Sequence, residues 1–256
     1  DPGDRVLVCP PTFPMYALYA RLNGAQVVAV PRRPDFSLDV EAVLAAAQEQ
    51  RPKIVFVDHP GNPGGTLVPA ADLERLLALP SLLVLDEAYI EFAGVQSQMP
   101  RLPGREDLVV LRTFSKWAGL AGLRLGYGAF PGWLLPGLWT ARSPYAVTAP
   151  AMAAAIAALG DLPTLQRQVE QIIADRRRLA DSLNRFPFLS AFPSATNFVL
   201  ARVDPASSQT AAGVCEALKE RGILVRLFAD LDCLRITVGT PGQIDALLAA
   251  LDEIAS

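Results

Sequence analysis

Six short, largely apolar runs, most of them rich in Val, Leu and Ile, divide the chain up to Phe130 and set the terms on which it can fold. They are Arg5 to Cys9, Gln26 to Val30, Lys53 to Asp58, Leu82 to Asp86, Leu108 to Arg112 and Gly126 to Phe130. Short and apolar along most of their length instead of strictly alternating, they read as buried strands of a mostly parallel sheet. Helical patterns separate several of them: Met15 to Asn23 with Gly24 as its stop, Asp39 to Gln50, and Ala70 to Leu79 with Pro80 beyond. The alternation predicts an α/β fold with its ligand site outside the carboxyl ends of the strands.

After Pro150 the texture changes. Leu165, Val169, Ile172, Leu179 and Leu183 fall near helical spacing on a charged background, which predicts a long amphipathic helix. Strands at Asn197 to Val203, Ile223 to Leu227 and Leu234 to Val238, with helices at Thr210 to Arg221 and Gln243 to Ile254, predict a smaller α+β unit. The boundary is expected near residues 143 to 150, giving a large unit over 1–146 and a small one over 147–256. Ser143 to Gly160 carries no charge, but Pro144, Pro150 and its alanines read as a hinge followed by a buried helix, not a membrane span.

Composition narrows the function. With 256 residues, 51% of them apolar, the chain can bury a real core and is not disordered. A net charge of −3, and no basic run beyond Arg176, Arg177 and Arg178, argue against a dedicated nucleic-acid binder. Cys9, Cys215 and Cys233 share no close spacing, so neither a disulfide framework nor a zinc site is indicated, and a reducing cytoplasm is expected. His59 is the single histidine, which removes most triad and poly-histidine metal chemistry. In an enzyme of this composition another group moves the protons. The chain starts at Asp1 without methionine and enters a strand pattern at once, so further sequence upstream is expected.

Lysine is the scarce residue that points to chemistry. Lys53 precedes a strand and Lys219 lies on a polar helix face, both ordinary surface settings. Lys116 instead follows a strand directly, in Thr113-Phe114-Ser115-Lys116-Trp117-Ala118-Gly119-Leu120-Ala121-Gly122-Leu123-Arg124. A lysine desolvated near another cation has its pKa lowered, and the neutral amine is a nucleophile toward carbonyl groups. Thr113 and Ser115 can donate to a phosphate and Arg124 can pair with it by two parallel bonds, although the same residues also suit a plain surface loop.

Other strand ends offer matching groups. Leu82 to Leu85 lead into Asp86-Glu87-Ala88-Tyr89, and an aspartate there either caps its strand or meets a cation in the crevice, such as a protonated pyridine nitrogen. A magnesium-binding acidic strand has the same look but requires a G-x-x-x-x-G-K-[ST] loop, which is missing. Pro60-Gly61-Asn62-Pro63-Gly64-Gly65 is a turn that also places the Asn62 amide at a strand end. Phe13, after the first strand, is either core or a stacking platform. Arg235 lies inside the apolar run Leu234 to Val238 and needs an anionic partner, structural or ligand; Arg226 is a second such candidate.

The order P-x-N-P-x-G, D-E-A-Y, T-F-S-K with G-L-A-G-L-R-L-G-Y, then L-R-I-T-V-G-T resembles the fold-type I aminotransferases that use pyridoxal phosphate, and within them the histidinol-phosphate aminotransferase family of histidine biosynthesis. The resemblance runs from Arg5 to the C-terminus. It implies that Lys116 holds the cofactor covalently and, once released, moves the proton between the substrate α-carbon and the cofactor. It further implies that Asp86 pairs with the ring nitrogen, that Asn62 and Tyr89 bind the ring hydroxyl, that Phe13 stacks on the ring, and that Thr113, Ser115 and Arg124 form the phosphate-binding segment. By the same resemblance Arg235 grips the α-carboxylate of glutamate and Arg226 meets the phosphate of histidinol phosphate. One pocket then serves both substrates in turn, with ping-pong kinetics and 2-oxoglutarate as acceptor, in a homodimer. Gly61-Asn62-Pro63-Gly64-Gly65 stands where the family has Asn-Asn-Pro-Thr-Gly, and Trp117-Ala118 where it often has Ala-Phe. The rivals are a threonine-phosphate decarboxylase or another enzyme of the same fold and, from another class, a non-catalytic aminotransferase-like sensor domain.

Overall fold

The computed structural model describes residues 1–255, and the six apolar runs form one sheet. In chain order its first part is β1 (Arg5–Val8), α1 (Met15–Leu22), β2 (Gln26–Ala29), α2 (Val40–Gln50), β3 (Ile54–Asp58), α3 (Ala70–Leu77), β4 (Leu82–Asp86), β5 (Leu108–Thr113) and β6 (Gly126–Ala129). Across the sheet the order is β2-β1-β3-β4-β5-β6. The first five strands pair in parallel and β6 runs antiparallel to β5, so the expected mostly parallel α/β architecture is borne out.

Local chemistry accounts for the helix ends. Asp39 caps α2 by accepting the Ala42 N–H at 3.2 Å, an interaction worth about 1 kcal/mol. Leu7, Val55, Leu83, Leu85 and Leu108 are fully buried against Val43 of α2 and Leu76 of α3. Each such leucine or valine contributes about 1.5–3 kcal/mol by leaving water. On the other face Val6 and Val8 pack on Tyr16 and Ala20 of α1.

The rest of the chain forms α4 (Leu135–Ala141), α5 (Ala149–Gly160), α6 (Leu162–Leu183), β7 (Leu189–Ala191), β8 (Phe198–Val203), α7 (Ala211–Glu220), β9 (Arg226–Phe228), β10 (Cys233–Thr237) and α8 (Pro241–Ala255). Its strands make an antiparallel sheet in the order β7-β8-β10-β9, with a core shared by α6, α7 and α8. β7 and α4 have no counterpart in the sequence reading, and β9 begins at Arg226 instead of Ile223. α6 starts one turn before the expected Leu165, because Asp161 caps it by accepting the Thr164 N–H.

One expectation fails outright. The helix after the hinge, α5, is not buried: only Ala151 and Ala155 are covered, while Met152, Ile156 and Leu159 face out. Its alanines make it uniformly apolar, and such a helix carries no pattern telling which face is covered.

Close contacts seat the second sheet over the carboxyl ends of the first. The Ala195 N–H donates to the Gly65 carbonyl at 2.8 Å, and Gly65 has φ of 76° with Ser194 so near that an added Cβ would lie 2.6 Å from its Oγ. Only glycine fits that approach. Arg176 of α6 donates to the Phe92 carbonyl at 3.1 Å and the Thr196 carbonyl at 2.6 Å, tying the two parts together.

Candidate active site

The carboxyl ends of β1, β3, β4 and β5 open into one cavity of about 370 Å³. Strand order reverses between β1 and β3, and a crevice at such a point is where open α/β sheets bind ligands. Phe13 enters from the loop after β1, Asn62 from the loop after β3, Asp86 and Tyr89 from the end of β4, and Thr113, Ser115, Lys116 and Arg124 from the end of β5 and its loop. All eight residues marked for a cofactor in the sequence therefore line the same space.

Asp86 accepts the Tyr16 hydroxyl at 2.5 Å and the Ala88 N–H at 2.9 Å, and it meets no cation at ion-pair distance among the described residues. Burial raises its pKa, opposed by those two hydrogen bonds. Lys116 makes no hydrogen bond or ion pair among the described residues, and its Nζ lies 5.6 Å from the centre of the Tyr89 ring. Its pKa is lowered, first by burial, then by the charges of Arg235 and Arg124, with Asp86 acting in the opposite sense. An amine so placed loses its proton more readily than a surface lysine, and the neutral form is the nucleophile.

The β5 loop presents donors. Thr113 Oγ1 accepts the Ser115 N–H at 3.0 Å and donates to the Leu125 carbonyl at 3.2 Å, which fixes the turn that carries Ser115 and Lys116. Arg124 adopts φ of 55° and its exposed guanidinium donates to the Ala121 carbonyl at 3.0 Å.

Arg235 reaches the site from β10. Its Nη1 donates to Asn62 Oδ1 at 2.6 Å, the rings of Phe198 and Phe228 lie 4.9 and 5.8 Å from its guanidinium carbon, and its buried Nε has no partner. No carboxylate pairs with it among the described residues, so a half-buried cation beside the cavity residue Asn62, itself outside the cavity lining, stands without its anion. Arg226 stands elsewhere. It is exposed on β9, directly across the ladder from Arg235 and outside the cavity lining, an unfavourable like-charge pair that an anion between them would relieve.

Sequence reasoning passed over two features. Tyr16 reads as an ordinary core position of α1, yet it lines the cavity and touches Asp86. Asp58 ends β3 as Asp86 ends β4, in register with it; that repeated strand-end aspartate was the available signal. Asp58 is neutralised by a buried ion pair with Arg32 and accepts the Asn62 N–H at 2.6 Å, which fixes the Asn62 turn. His59 is buried beside it but outside the cavity lining, with Nδ1 accepting the Val68 N–H at 3.2 Å and burial pulling its pKa down to about 4.

Comparison with known proteins decides the family: its aminotransferase class I and II model matches residues 1–251. The chain belongs to that family. This aminotransferase chain is 47% identical over 99% of its length to the histidinol-phosphate aminotransferase of Roseiflexus castenholzii, of which it covers 69%. It is 44% identical over 98% of its length to the chloroplastic enzyme of that name from Nicotiana tabacum, of which it covers 61%. The crystal structure of histidinol-phosphate aminotransferase from Sinorhizobium meliloti in complex with pyridoxal-5'-phosphate superposes with a TM-score of 0.90 at 30% identity, over all of this chain and 71% of that one. The aminotransferase therefore has the fold of that enzyme and spans roughly three fifths to seven tenths of such relatives.

Proposed function

We propose that the protein is a pyridoxal-phosphate-dependent aminotransferase that exchanges the amino group between histidinol phosphate and 2-oxoglutarate, with the strand-end cavity as its active site. The observation that carries the reading is the pairing, in one cavity, of a half-buried carboxylate without a cation and an amine without an acceptor. Relatives named as histidinol-phosphate aminotransferases at 47% and 44% identity favour this substrate over threonine phosphate.

The residues present fit pyridoxal phosphate. Asp86 offers a carboxylate at the strand end for a protonated ring nitrogen, Ser115 and Arg124 supply donors for a phosphate, and Phe13 offers an aromatic face at the rim. When bound, the cofactor supplies an electron sink for negative charge developing at the substrate α-carbon. Lys116 would hold the cofactor and, once free of it, would hold or return the proton at that carbon, a role that the lowering of its pKa by burial and by Arg235 favours. Asn62 and Tyr89, which line the same cavity, would hold the ring hydroxyl. Arg235 binds the carboxylate of glutamate through its fork, and Arg226, its neighbour across the ladder, meets the phosphate of histidinol phosphate.

The same reading divides the chain into a cofactor-binding unit over 1–146 and a smaller unit over 147–256, and makes the assembly a homodimer. An apolar strip supports the dimer: Trp139, Tyr145 and Ile156 are 62%, 89% and 71% exposed, with Trp133, Leu138 and Met152 nearby in sequence. The three free cysteines support a reducing compartment, for which we infer the cytoplasm. No helix among the described residues is long and apolar enough to cross a membrane.

Steady-state transamination by the arginine variants tests the substrate assignment. Arg235→Ala is expected to raise KM about 10- to 100-fold for glutamate by removing a charge-assisted pair. Arg226→Ala is expected to do so for histidinol phosphate while leaving glutamate nearly unaffected. Equal losses for both substrates in the Arg226 variant would contradict its phosphate role.

A further inference from the structure

Tyr16 has no role in the reading above, yet its hydroxyl touches the acid at the centre of the site. It donates to Asp86 Oδ2 at 2.5 Å, while Asp86 Oδ1 accepts the Ala88 N–H at 2.9 Å. The ring is clamped. It stacks on Phe56 of β3 with centroids 4.7 Å apart at 8°, and Phe13 meets it edge-on at 5.5 Å. Val6, Val8 and Ala20 pack against it, and the hydroxyl of this buried side chain has Asp86 as its acceptor.

We propose that Tyr16 is a positioning residue that keeps the Asp86 carboxylate ionised and turned to face the ring nitrogen of the cofactor; the inference rests on the cofactor reading given above. A carboxylate taken out of water favours its protonated form, and a donor aimed at it restores the charged one. At Asp86 burial acts upward, and the Tyr16 bond is the strongest influence opposing it, ahead of the Ala88 N–H. Tyr16 stays a donor because burial, followed by the negative charge of Asp86, pushes its own ionisation far up. The remaining charged and titratable neighbours do not replace it. Asp58 on β3 is negative and already paired with Arg32, Glu87 and Tyr89 follow Asp86 on the chain, and Lys116 beyond β5 contributes the one favourable charge. With one oxygen held by Tyr16 and the other by Ala88, the carboxylate cannot rotate, and its free lone pairs are fixed in direction. Through Phe13 and Asp86 a single side chain thus links the face and the nitrogen edge of the cofactor cradle.

Tyr16→Phe removes the hydroxyl and keeps both ring contacts. In protein carrying 13C-labelled aspartate carboxyls and no cofactor, Asp86 is the signal missing from Asp86→Asn. Its titration midpoint is expected to rise by about one unit in Tyr16→Phe. Pyridoxal phosphate titrated into the same proteins is expected to bind about tenfold more weakly to Tyr16→Phe, and no more weakly to Tyr16→Phe/Asp86→Asn than to Asp86→Asn alone. An unshifted midpoint, or the same tenfold loss in the Asp86→Asn background, overturns this inference alone. Wild-type protein that binds no pyridoxal phosphate overturns the cofactor reading and this inference with it.

Discussion

The strand-end cavity and the α4–α5 strip are opposite violations of ordinary burial. In the cavity and beside it, polar groups are withdrawn from water without their full complement of partners: Asp86 has no cation, Lys116 no acceptor and Arg235, next to the cavity residue Asn62, no anion. Along the strip, Trp139, Tyr145 and Ile156 remain in water without cover. Each arrangement costs stability in the isolated chain. The difference teaches what each is waiting for: a small charged molecule in the first case and an apolar surface in the second.

The most severe test of the cavity is Lys116→Ala. Loss of the group that moves the proton is expected to lower kcat by on the order of 10²- to 10⁴-fold, read in a single-turnover transamination assay. Retained turnover would remove Lys116 from the mechanism, since Lys53 and Lys219 are exposed and held by Asp4 and Glu216.

That lysine was legible in the sequence because its loop departs so plainly from the apolar strand before it. The same holds for the five parallel strands of the first sheet, whose apolar, Val- and Leu-rich runs have no other stable use. Less could be read where one pattern serves two outcomes. Tyr16 falls on the core spacing of an amphipathic helix, so nothing local tells a packed ring from a hydroxyl aimed at an acid. The alanines of α5 look alike in a core and on a surface. β7 is three residues long with Ser190 at its centre, too short to show a period. Arg226 illustrates the remaining gap: the sequence marks an arginine near a strand, but only the ladder shows that it stands opposite Arg235.

His59 sharpens the comparison, because it is a buried polar group whose partner is already present. Its pKa of about 4 lies below the ordinary 6.5, so the unfolded chain takes up a proton first as the pH falls. Its contribution is therefore fully present above about pH 6.5 and lost between there and about pH 4, by about 3 kcal/mol in all. Urea unfolding of wild type and His59→Asn across that range is expected to show stabilities that converge on acidification. Parallel curves would mean that burial does not hold this imidazole neutral.

A smaller effect is expected on the strip. Ile156→Asp puts a charge where the dimer reading buries a side chain worth about 1.5–3 kcal/mol, and is expected to weaken self-association at least tenfold in sedimentation velocity runs. An unchanged dissociation constant would place the dimer contact elsewhere and leave the strip to another occupant.

The account stands on Lys116 being the residue that carries the cofactor. Borohydride reduction of the purified protein in the presence of pyridoxal phosphate, followed by peptide mapping, tests this directly, because only three lysines compete for the label. The predicted result is one modified peptide, bearing Lys116, with none formed in Lys116→Ala. Label on Lys53 or Lys219 with Lys116 unmodified would contradict it.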